Sequence, residues 1–363
     1  MNKDLGDHRG ALEDNLEMHN PVSVSAVITT YNRQEKVRRA IQGVMDQTYP
    51  LMEVIVVEDG SDSGIPEWLR HKGWDHVIYI HHDCNKGLAA ARNTGLKKAQ
   101  GEFIAYLDDD DEWKPQRIER QIELLRNLSD VQKEALGVIY CRSEFRFDEG
   151  IKVDDLPLNS GLLKDSILEL GARTESSGFL FSAKALKHVG GFDESLVSSI
   201  DHDIWMSLAW HGYHAYYVDE PLVITERQQN TSAMTTDTER RIHGVHQYVK
   251  KWMPVYQEWL GDKQGIEYGR KYFAHVIGIL FARNIAAGKF RDSITSASAI
   301  FQYSHRKIFT SYMLSRTTLH VFLKKLLQKH GEHAVRELIE SVSIRKRMTT
   351  LARRARGHIL KKY

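Results

Sequence analysis

The chain has 363 residues, of which 42% are hydrophobic, and its 50 basic residues nearly balance 48 acidic ones. This length allows two domains and a sizeable core, and the near-neutral charge excludes a general nucleic-acid-binding character. Two cysteines are too few for a disulfide framework and suit a reducing compartment.

Residues 1–20 are polar and acidic, and we predict a flexible tail without a signal peptide. No apolar run is long enough to span a bilayer, so a cytoplasmic protein is expected. Beyond the tail, short apolar segments alternate with segments of helical periodicity, as in an α/β fold with a mainly parallel sheet flanked by helices. The predicted strands cover residues 22–28, 54–57, 77–80, 103–107 and 138–147. The predicted helices cover residues 37–45, 86–96, 118–125 and 200–209.

Polar clusters follow three of these strands directly, at residues 29–33, 58–62 and 108–111. Ligands bind outside the carboxyl ends of the strands in parallel sheets, so the common placement of the clusters indicates a site. The last cluster is four consecutive aspartates, and such oxygen ligands suit a hard cation such as Mg²⁺ or Mn²⁺. The alternative is an acidic loop, and for Asp111 we predict a role as cap of the following helix.

The composition changes near residue 235, where strand signals give way to helical periodicity. We predict an α/β domain over 21–235 and a basic α-helical region over 236–363. This region has an apolar face at 319–327, and basic but no acidic residues follow Glu340. Such a tail suits peripheral contact with the anionic inner face of the cell membrane. The alternative is that the basic residues form the solvated face of helices packed on the first domain. Nucleic-acid binding is not expected.

Six short motifs occur in an order that is typical of one enzyme family. They lie at residues 29–33, 58–62, 85–93, 107–111, 190–194 and 201–205. In these motifs, within residues 22–230, the chain resembles the family 2 glycosyltransferases, which have the GT-A fold. The resemblance implies a domain that binds a nucleotide-diphosphate sugar, expected to be UDP-linked, together with Mn²⁺ or Mg²⁺. It further implies inverting transfer to a glycan or lipid-linked acceptor in bacterial surface-polysaccharide biosynthesis.

The resemblance also implies roles for the residues of the donor site. Thr29 and Tyr31 would line the pocket for the nucleotide base, with Tyr31 stacked on the base. Asp59 would accept a hydrogen bond from the base. Arg92 would help to hold the base or a phosphate.

The acidic residues match the family's metal and catalytic motifs. Asp108 and Asp110 correspond to the two acids of the DxD motif and would bind the metal, with Asp108 also near the diphosphate. Asp109 would lie near the ribose of the donor. Asp201 corresponds to the catalytic base, but the residues on either side depart from the family pattern, so Asp203 remains a rival.

Two other functions are open at this point. A nucleotidyltransferase acting on sugar phosphates also combines an α/β sheet with carboxylate-bound Mg²⁺, but residues 29–33 lack the expected glycine-rich phosphate loop. A non-catalytic glycan-binding protein on a transferase scaffold is the second alternative. The intact acidic cluster and Asp201 argue against such a loss of activity.

Overall fold

The computed structural model describes residues 21–147, 150–170, 176–226 and 237–304. The chain divides into two compact units, the first made of Met1–Glu194 and Ile204–Gln229, the second of Ser195–Asp203 and Asn230–Tyr363. The predicted domain limits at residues 20 and 235 lie outside the described residues.

The first unit contains a single mixed sheet in its described part. Its strands are β1 (Val24–Thr30), β2 (Glu53–Glu58), β3 (Ile78–His81), β4 (Phe103–Asp108), β5 (Asp111–Trp113), β6 (Leu136–Phe147), β7 (Gly150–Val153), β8 (Gly161–Leu162), β9 (Leu180–Ser182) and β10 (His214–Glu226). They run in the order β3-β2-β1-β4-β9-β6-β10-β5, with β7 beside β6 and β8 beside β10. The first four strands pair in parallel, as predicted, whereas β9 is antiparallel to both of its neighbours.

Helices cover the sheet and make up the described part of the second unit. They are α1 (Gln34–Met45), α2 (Ile65–Lys72), α3 (Leu88–Lys98), α4 (Arg117–Asn127), α5 (Asp130–Glu134), α6 (Leu163–Leu170), α7 (Ala183–His188), α8 (Ile200–Trp210), α9 (Thr238–Leu260), α10 (Asp262–Ala286) and α11 (Phe290–Tyr303). The boundary between the units falls within α8, between Asp203 and Ile204.

Strand β1 lies in the middle of the core, and all seven of its residues are buried. A strand covered on both faces needs apolar or small side chains throughout, which is why its sequence, VSAVITT, combines apolar residues with small hydroxyl-bearing ones. Helix α3 packs closely on this strand because Gly95 has no side chain. A Cβ atom at Gly95 would lie 2.3 Å from Cγ1 of Val27.

The second unit is helical in its described residues, as the periodicity beyond residue 235 predicts. The predicted apolar face at 319–327 and the basic stretch after Glu340 lie outside the described residues. None of the helices in the described part of the chain combines the length and apolar character needed to cross a bilayer.

The prediction that Asp111 caps the following helix is wrong. Asp111 begins β5 and pairs with Thr225 of β10, while α4 begins only at Arg117. The cause is Trp113, which is 2% exposed and donates a hydrogen bond from Nε1 to the carbonyl of Ser177 at 2.8 Å. Burying this side chain keeps the backbone extended past the aspartates. The sequence prediction did not include β5 or β10.

Candidate active site

The three polar clusters meet at one edge of the sheet. Thr30 of β1 lies opposite Glu58 of β2, and Thr29 lies opposite Asp108 of β4. Because these strands are parallel and in register, residues 29–33, 58–62 and 108–111 emerge side by side. The predicted common placement is therefore confirmed.

Two side chains from the end of β1 hold the acidic cluster. The hydroxyl of Thr30 donates to Oδ2 of Asp109 at 2.8 Å. Nη1 of Arg33 donates to Oδ1 of Asp109 at 2.7 Å and to Oδ2 of Asp110 at 3.0 Å. Asn32 between them has a left-handed backbone with φ of 57°, a conformation that asparagine tolerates better than most residues. Neither Thr30 nor Arg33 was among the predicted site residues, although both lie within the first motif.

Asp109 is 5% exposed, and its ionisation is correspondingly costly. Burial raises the pKa of Asp109 to about 6, and the charge of Asp110 adds to this effect. Arg33 and the Thr30 hydroxyl lower the pKa of Asp109 but do not restore its ordinary value. The ionised form of Asp109 therefore depends on the guanidinium of Arg33 beside it.

Asp108 is held from the other side of the cluster by Arg92. Nη2 of Arg92 donates to Oδ1 of Asp108 at 2.8 Å and to the hydroxyl of Ser176 at 2.7 Å. The Arg92 side chain is fully buried, and its guanidinium lies 5.3 Å from the ring centroid of Phe192. Arg92 thus fixes the orientation of Asp108. Its predicted contact with a base or phosphate stays a prediction.

Asn93, the next residue of α3, holds a distant turn. Its Nδ2 donates to the carbonyl of Phe192 and to Oε1 of Glu194, each at 2.8 Å. Its Oδ1 accepts a hydrogen bond from the backbone nitrogen of Phe192 at 2.9 Å. The motif at 91–93 and the motif at 190–194 are therefore parts of one structural arrangement.

The predicted base-pocket residues differ in their accessibility. Thr29 is 6% exposed, whereas Tyr31 is 46% exposed and offers its ring to a ligand. Asp59 is buried and accepts hydrogen bonds from the backbone nitrogens of Lys86 and Gly87, both at 2.8 Å. Nδ1 of His82 lies 2.7 Å from the same carboxylate.

His82 was not predicted as a site residue. Its ring is 5% exposed, and Nε2 lies 2.9 Å from the hydroxyl of Thr94. Contacts on both ring nitrogens fix the imidazole, which in turn fixes the Asp59 carboxylate. Because these partners come from separate elements, no local motif shows the arrangement.

The acidic cluster has the ligand chemistry for a divalent cation. The side chains of Asp108 and Asp110 are 29% and 32% exposed, and both offer carboxylate oxygens, the ligands that Mg²⁺ and Mn²⁺ prefer. When all four aspartates are ionised, Arg33 and Arg92 leave two negative charges in excess, the charge that one divalent cation balances. Within the described ranges, no three His, Cys, Asp or Glu side chains are grouped to hold a metal alone. A cation here would need further oxygen ligands, such as substrate phosphates.

The protonation of Asp111 makes the free energy of unfolding depend on pH. Burial raises the pKa of Asp111 to about 7, together with the charges of Asp108 and Asp110. Between about pH 4 and pH 7 the folded chain retains a proton that the unfolded chain has released, so the free energy of unfolding falls as the pH rises through this window. Replacing Asp111 by Asn is expected to raise the free energy of unfolding by about 2–4 kcal/mol at pH 8 in metal-free buffer.

Urea unfolding between pH 4 and pH 8 in the presence of EDTA measures this gain. It should be close to zero near pH 4 and constant above pH 7, because the variant lacks the titrating group. Glu112→Gln, at the exposed neighbouring position, is the control and should change the free energy of unfolding by no more than about 0.5 kcal/mol. An equal gain for Asp111→Asn at pH 4 and pH 8 would contradict the titration of Asp111.

In the second unit, Asp203 is engaged in a buried network. It is 2% exposed, and Nζ of Lys251 lies 2.8 Å from Oδ1 and 2.9 Å from Oδ2. Nε1 of Trp252 donates to Oδ1 at 2.7 Å. Both carboxylate oxygens are therefore occupied, and the observed role of Asp203 is to hold the first turn of α8 against α9.

Asp201 lies in the same turn but is only partly buried. It interacts with the buried guanidinium of Arg241: burial lowers the pKa of Arg241, while the charges of Tyr272 and Asp201 raise it. The two candidates thus differ in exposure, since Asp201 is only partly buried and Asp203 is almost fully buried.

Comparison with known proteins identifies the sheet-containing part of the chain. The pattern that defines "Glycosyl transferase family 2" matches residues 25–187. Residues 25–187 are therefore similar to this family of glycosyltransferases. The matched stretch contains β1 to β4, the acidic cluster, Asp59 and Arg92, so the resemblance seen in the motifs is confirmed.

Proteins similar to this chain include an uncharacterized glycosyltransferase of Rickettsia felis, 32% identical over 212 residues, or 56% of this chain and 34% of the relative. The chain thus spans about a third of the length of the first curated relatives that it matches. The Bacillus subtilis glycosyltransferase TuaG, which is assigned to teichuronic acid biosynthesis, is 36% identical over 110 residues, 29% of this chain and 43% of the relative.

Two solved structures share the fold. S. aureus TarS in complex with UDP-GlcNAc has a TM-score of 0.56 and 14% identity, covering 85% of this chain and 92% of that chain. The mannosyltransferase PcManGT of Pyrobaculum calidifontis, in complex with GDP-Man and Mn²⁺, has a TM-score of 0.50 and 18% identity, covering 85% and 88%. At these identities the likeness concerns the fold alone, and the predicted GT-A fold is confirmed.

Proposed function

We propose that the chain is an inverting glycosyltransferase that moves a sugar from a UDP-linked donor to a hydroxyl of a glycan or lipid-linked acceptor. The observation that carries this proposal is the acidic cluster at the carboxyl edge of a family 2 domain. There Asp108 and Asp110 present partly exposed carboxylates beside the end of β1. Surface-polysaccharide biosynthesis is the proposed setting, supported by the similarity to TuaG.

The nucleotide would bind at the ends of β1 and β2. Tyr31 is accessible for stacking on a base, a contact that any base accepts. Asp59 is already bound by His82, Lys86 and Gly87, with two donors on Oδ1 and one on Oδ2. One further hydrogen bond to Oδ2 can be accepted, which suits the single N3–H of uracil. UDP-GlcNAc in TarS supports a nucleotide-sugar donor.

The acidic cluster would hold the divalent cation and the diphosphate. Asp110 is proposed as the direct ligand, with Asp108 oriented for the same cation by Arg92 and Ser176. When bound, the cation neutralises charge that develops on the leaving diphosphate. The Mn²⁺ in PcManGT supports this proposal. Asp109 is proposed to lie near the ribose of the donor.

Asp201 is proposed as the general base. An acceptor hydroxyl is a weak nucleophile at neutral pH, and a carboxylate in hydrogen-bond reach can take its proton in the transition state. Attack opposite the leaving group then inverts the anomeric carbon without a covalent intermediate. The bonds of Asp203 to Lys251 and Trp252 support the choice of Asp201 over this rival.

Calorimetry with UDP in the presence of Mn²⁺ or EDTA tests the proposal. The wild-type chain should bind UDP at least about tenfold more tightly with Mn²⁺, because the cation links the carboxylates to the diphosphate. Asp110→Asn should lose most of this difference, whereas Glu123→Gln, at an exposed position of α4, should retain it. A chain that binds no nucleoside diphosphate in a metal-dependent manner would contradict the proposal. If binding does depend on Mn²⁺, a screen of nucleotide sugars for donor hydrolysis identifies the sugar.

A further inference from the structure

Arg33 occupies the position of a counter-ion in the proposed metal site. One nitrogen, Nη1, bridges Asp109 and Asp110, at 2.7 and 3.0 Å. Burial lowers the pKa of Arg33, but the charges of Asp109 and Asp110 raise it above its ordinary value, so the guanidinium stays charged. The carboxylate proposed as the direct metal ligand is therefore already paired with a cation from the chain itself.

We infer that Arg33 is an exchangeable cation: a divalent metal displaces it from Asp110, and the released guanidinium binds the diphosphate of the donor. This inference rests on the proposed function, because it concerns the same metal and the same donor. It assigns to Arg33 a role that the motif comparison did not give.

The two halves of the bridge differ in a way that favours this exchange. Asp109 is 5% exposed and is also bound by Thr30, so it keeps its place in the cluster. Asp110 is 32% exposed, and its contact with Arg33 is the longer one. A partly exposed ion pair is worth less and is more readily replaced than a buried pair, which is costly to break. Displacement should therefore occur at Asp110, with Arg33 still close to Asp109.

A released Arg33 would lie next to the ligand that arrives with the metal. The planar guanidinium matches phosphate oxygens and forms short, charge-assisted hydrogen bonds with them. Helix α1, which begins just after Arg33, also presents Lys36 and Arg39 to the cleft lined by residues 109–112. Arg39 is already paired with Glu226 at 3.2 Å. The diphosphate would thus bind beside the guanidinium of Arg33, which the metal has displaced from Asp110.

The consequence is that metal and diphosphate bind interdependently. Without nucleotide, the metal must displace Arg33 and leave the guanidinium without its second carboxylate. With nucleotide present, the diphosphate takes over as the partner of Arg33. Coupling of this kind is reciprocal, so the metal strengthens nucleotide binding by the same factor.

Arg33→Gln separates the two effects, since it removes the competing charge and also the phosphate ligand. Mn²⁺ binding without nucleotide, followed by electron paramagnetic resonance of the free ion, should become about tenfold tighter, the ratio for one charge-assisted hydrogen bond. UDP binding at saturating Mn²⁺, followed by calorimetry, should become about tenfold weaker. Arg38→Gln, on helix α1 just after Arg33, is the matched control, because Arg38 pairs only with Glu35 among the described acidic residues and lies over Trp68. It should change neither constant.

The results distinguish this inference from the proposed function. If the wild-type chain binds UDP with Mn²⁺ but Arg33→Gln leaves Mn²⁺ binding unchanged or weaker, the exchange is refuted and the transferase proposal stands. Unchanged UDP affinity in Arg33→Gln refutes the contact with the diphosphate. If the wild-type chain binds no UDP, the proposed function fails, and the diphosphate contact fails with it. Should Arg33→Gln not fold, Arg33→Lys decides: both constants must shift in the same directions by smaller factors, and unchanged constants refute the inference.

Discussion

Replacing Asp201 by Asn is expected to lower the rate of sugar transfer by about 10²–10⁴-fold, the contribution of a positioned general base. Asparagine keeps the size of the side chain but cannot accept the proton of the acceptor hydroxyl. UDP binding with Mn²⁺ should be unchanged, because the proposed donor ligands lie elsewhere in the chain. Single-turnover transfer and calorimetry on the same preparation measure both quantities.

Asp203→Asn is the matched control, two residues away on the same helical turn. Asp203 pairs with Lys251 and receives the Trp252 hydrogen bond, so its replacement should lower the free energy of unfolding by about 1–3 kcal/mol. The transfer rate of the folded fraction should fall much less than in Asp201→Asn. The reverse pattern, with transfer abolished only in Asp203→Asn and stability unaffected, would reassign the base.

Replacing Gly60 by Ala is expected to lower the free energy of unfolding by about 3–5 kcal/mol and to abolish UDP binding. The backbone at Gly60 has φ of +77°, and an added Cβ would lie 2.2 Å from the backbone nitrogen of Asn85 and 2.3 Å from the carbonyl carbon of Cys84. Backbone atoms cannot move aside as a side-chain end can. The displacement would reach the adjacent Asp59 and the backbone nitrogens that hold it.

Gly73→Ala separates the two causes of this loss of stability, which are the positive φ and the close approach of backbone atoms. Gly73 has φ of +69° and ends α2, but an added Cβ there would meet no atom within 4 Å. This variant should lose only the conformational term, about 1–2 kcal/mol, and should bind UDP normally. Urea unfolding and UDP calorimetry measure both variants. If both lose equal stability, the close approach of residues 84 and 85 is not the cause.

The sequence was informative where the chain is buried on both faces. Strands β1, β2 and β4 are apolar runs that end in polar residues, and the rule for parallel sheets then places Thr29, Asp59 and Asp108 at one edge. These positions depend on a local pattern and a general rule of topology. They could therefore be predicted from one sequence.

The contacts that shape the site could not be predicted in this way. Thr30 and Asp109 are separated by 79 positions, and Asp59 and His82 by 23, so their hydrogen bonds depend on the finished fold. Strand β10 escaped prediction because its sequence contains Pro221 and two neighbouring acidic residues, which are uncommon in strands. Asp111 was misassigned because its extended conformation depends on the burial of Trp113 two residues later.

The adjacent residues Arg92 and Asn93 also constrain the order of events during synthesis. Arg92 bonds to a residue 84 positions later, and Asn93 to a residue 99 positions later. While the ribosome is still making the intervening chain, α3 would bury two polar side chains before these partners exist, which is unfavourable. The parallel half of the sheet should therefore not reach its native state on the ribosome until Glu194 has left the exit tunnel. The unit that contains the sheet would thus complete its acidic cluster only after residues 176–194 have been synthesised and released from the tunnel.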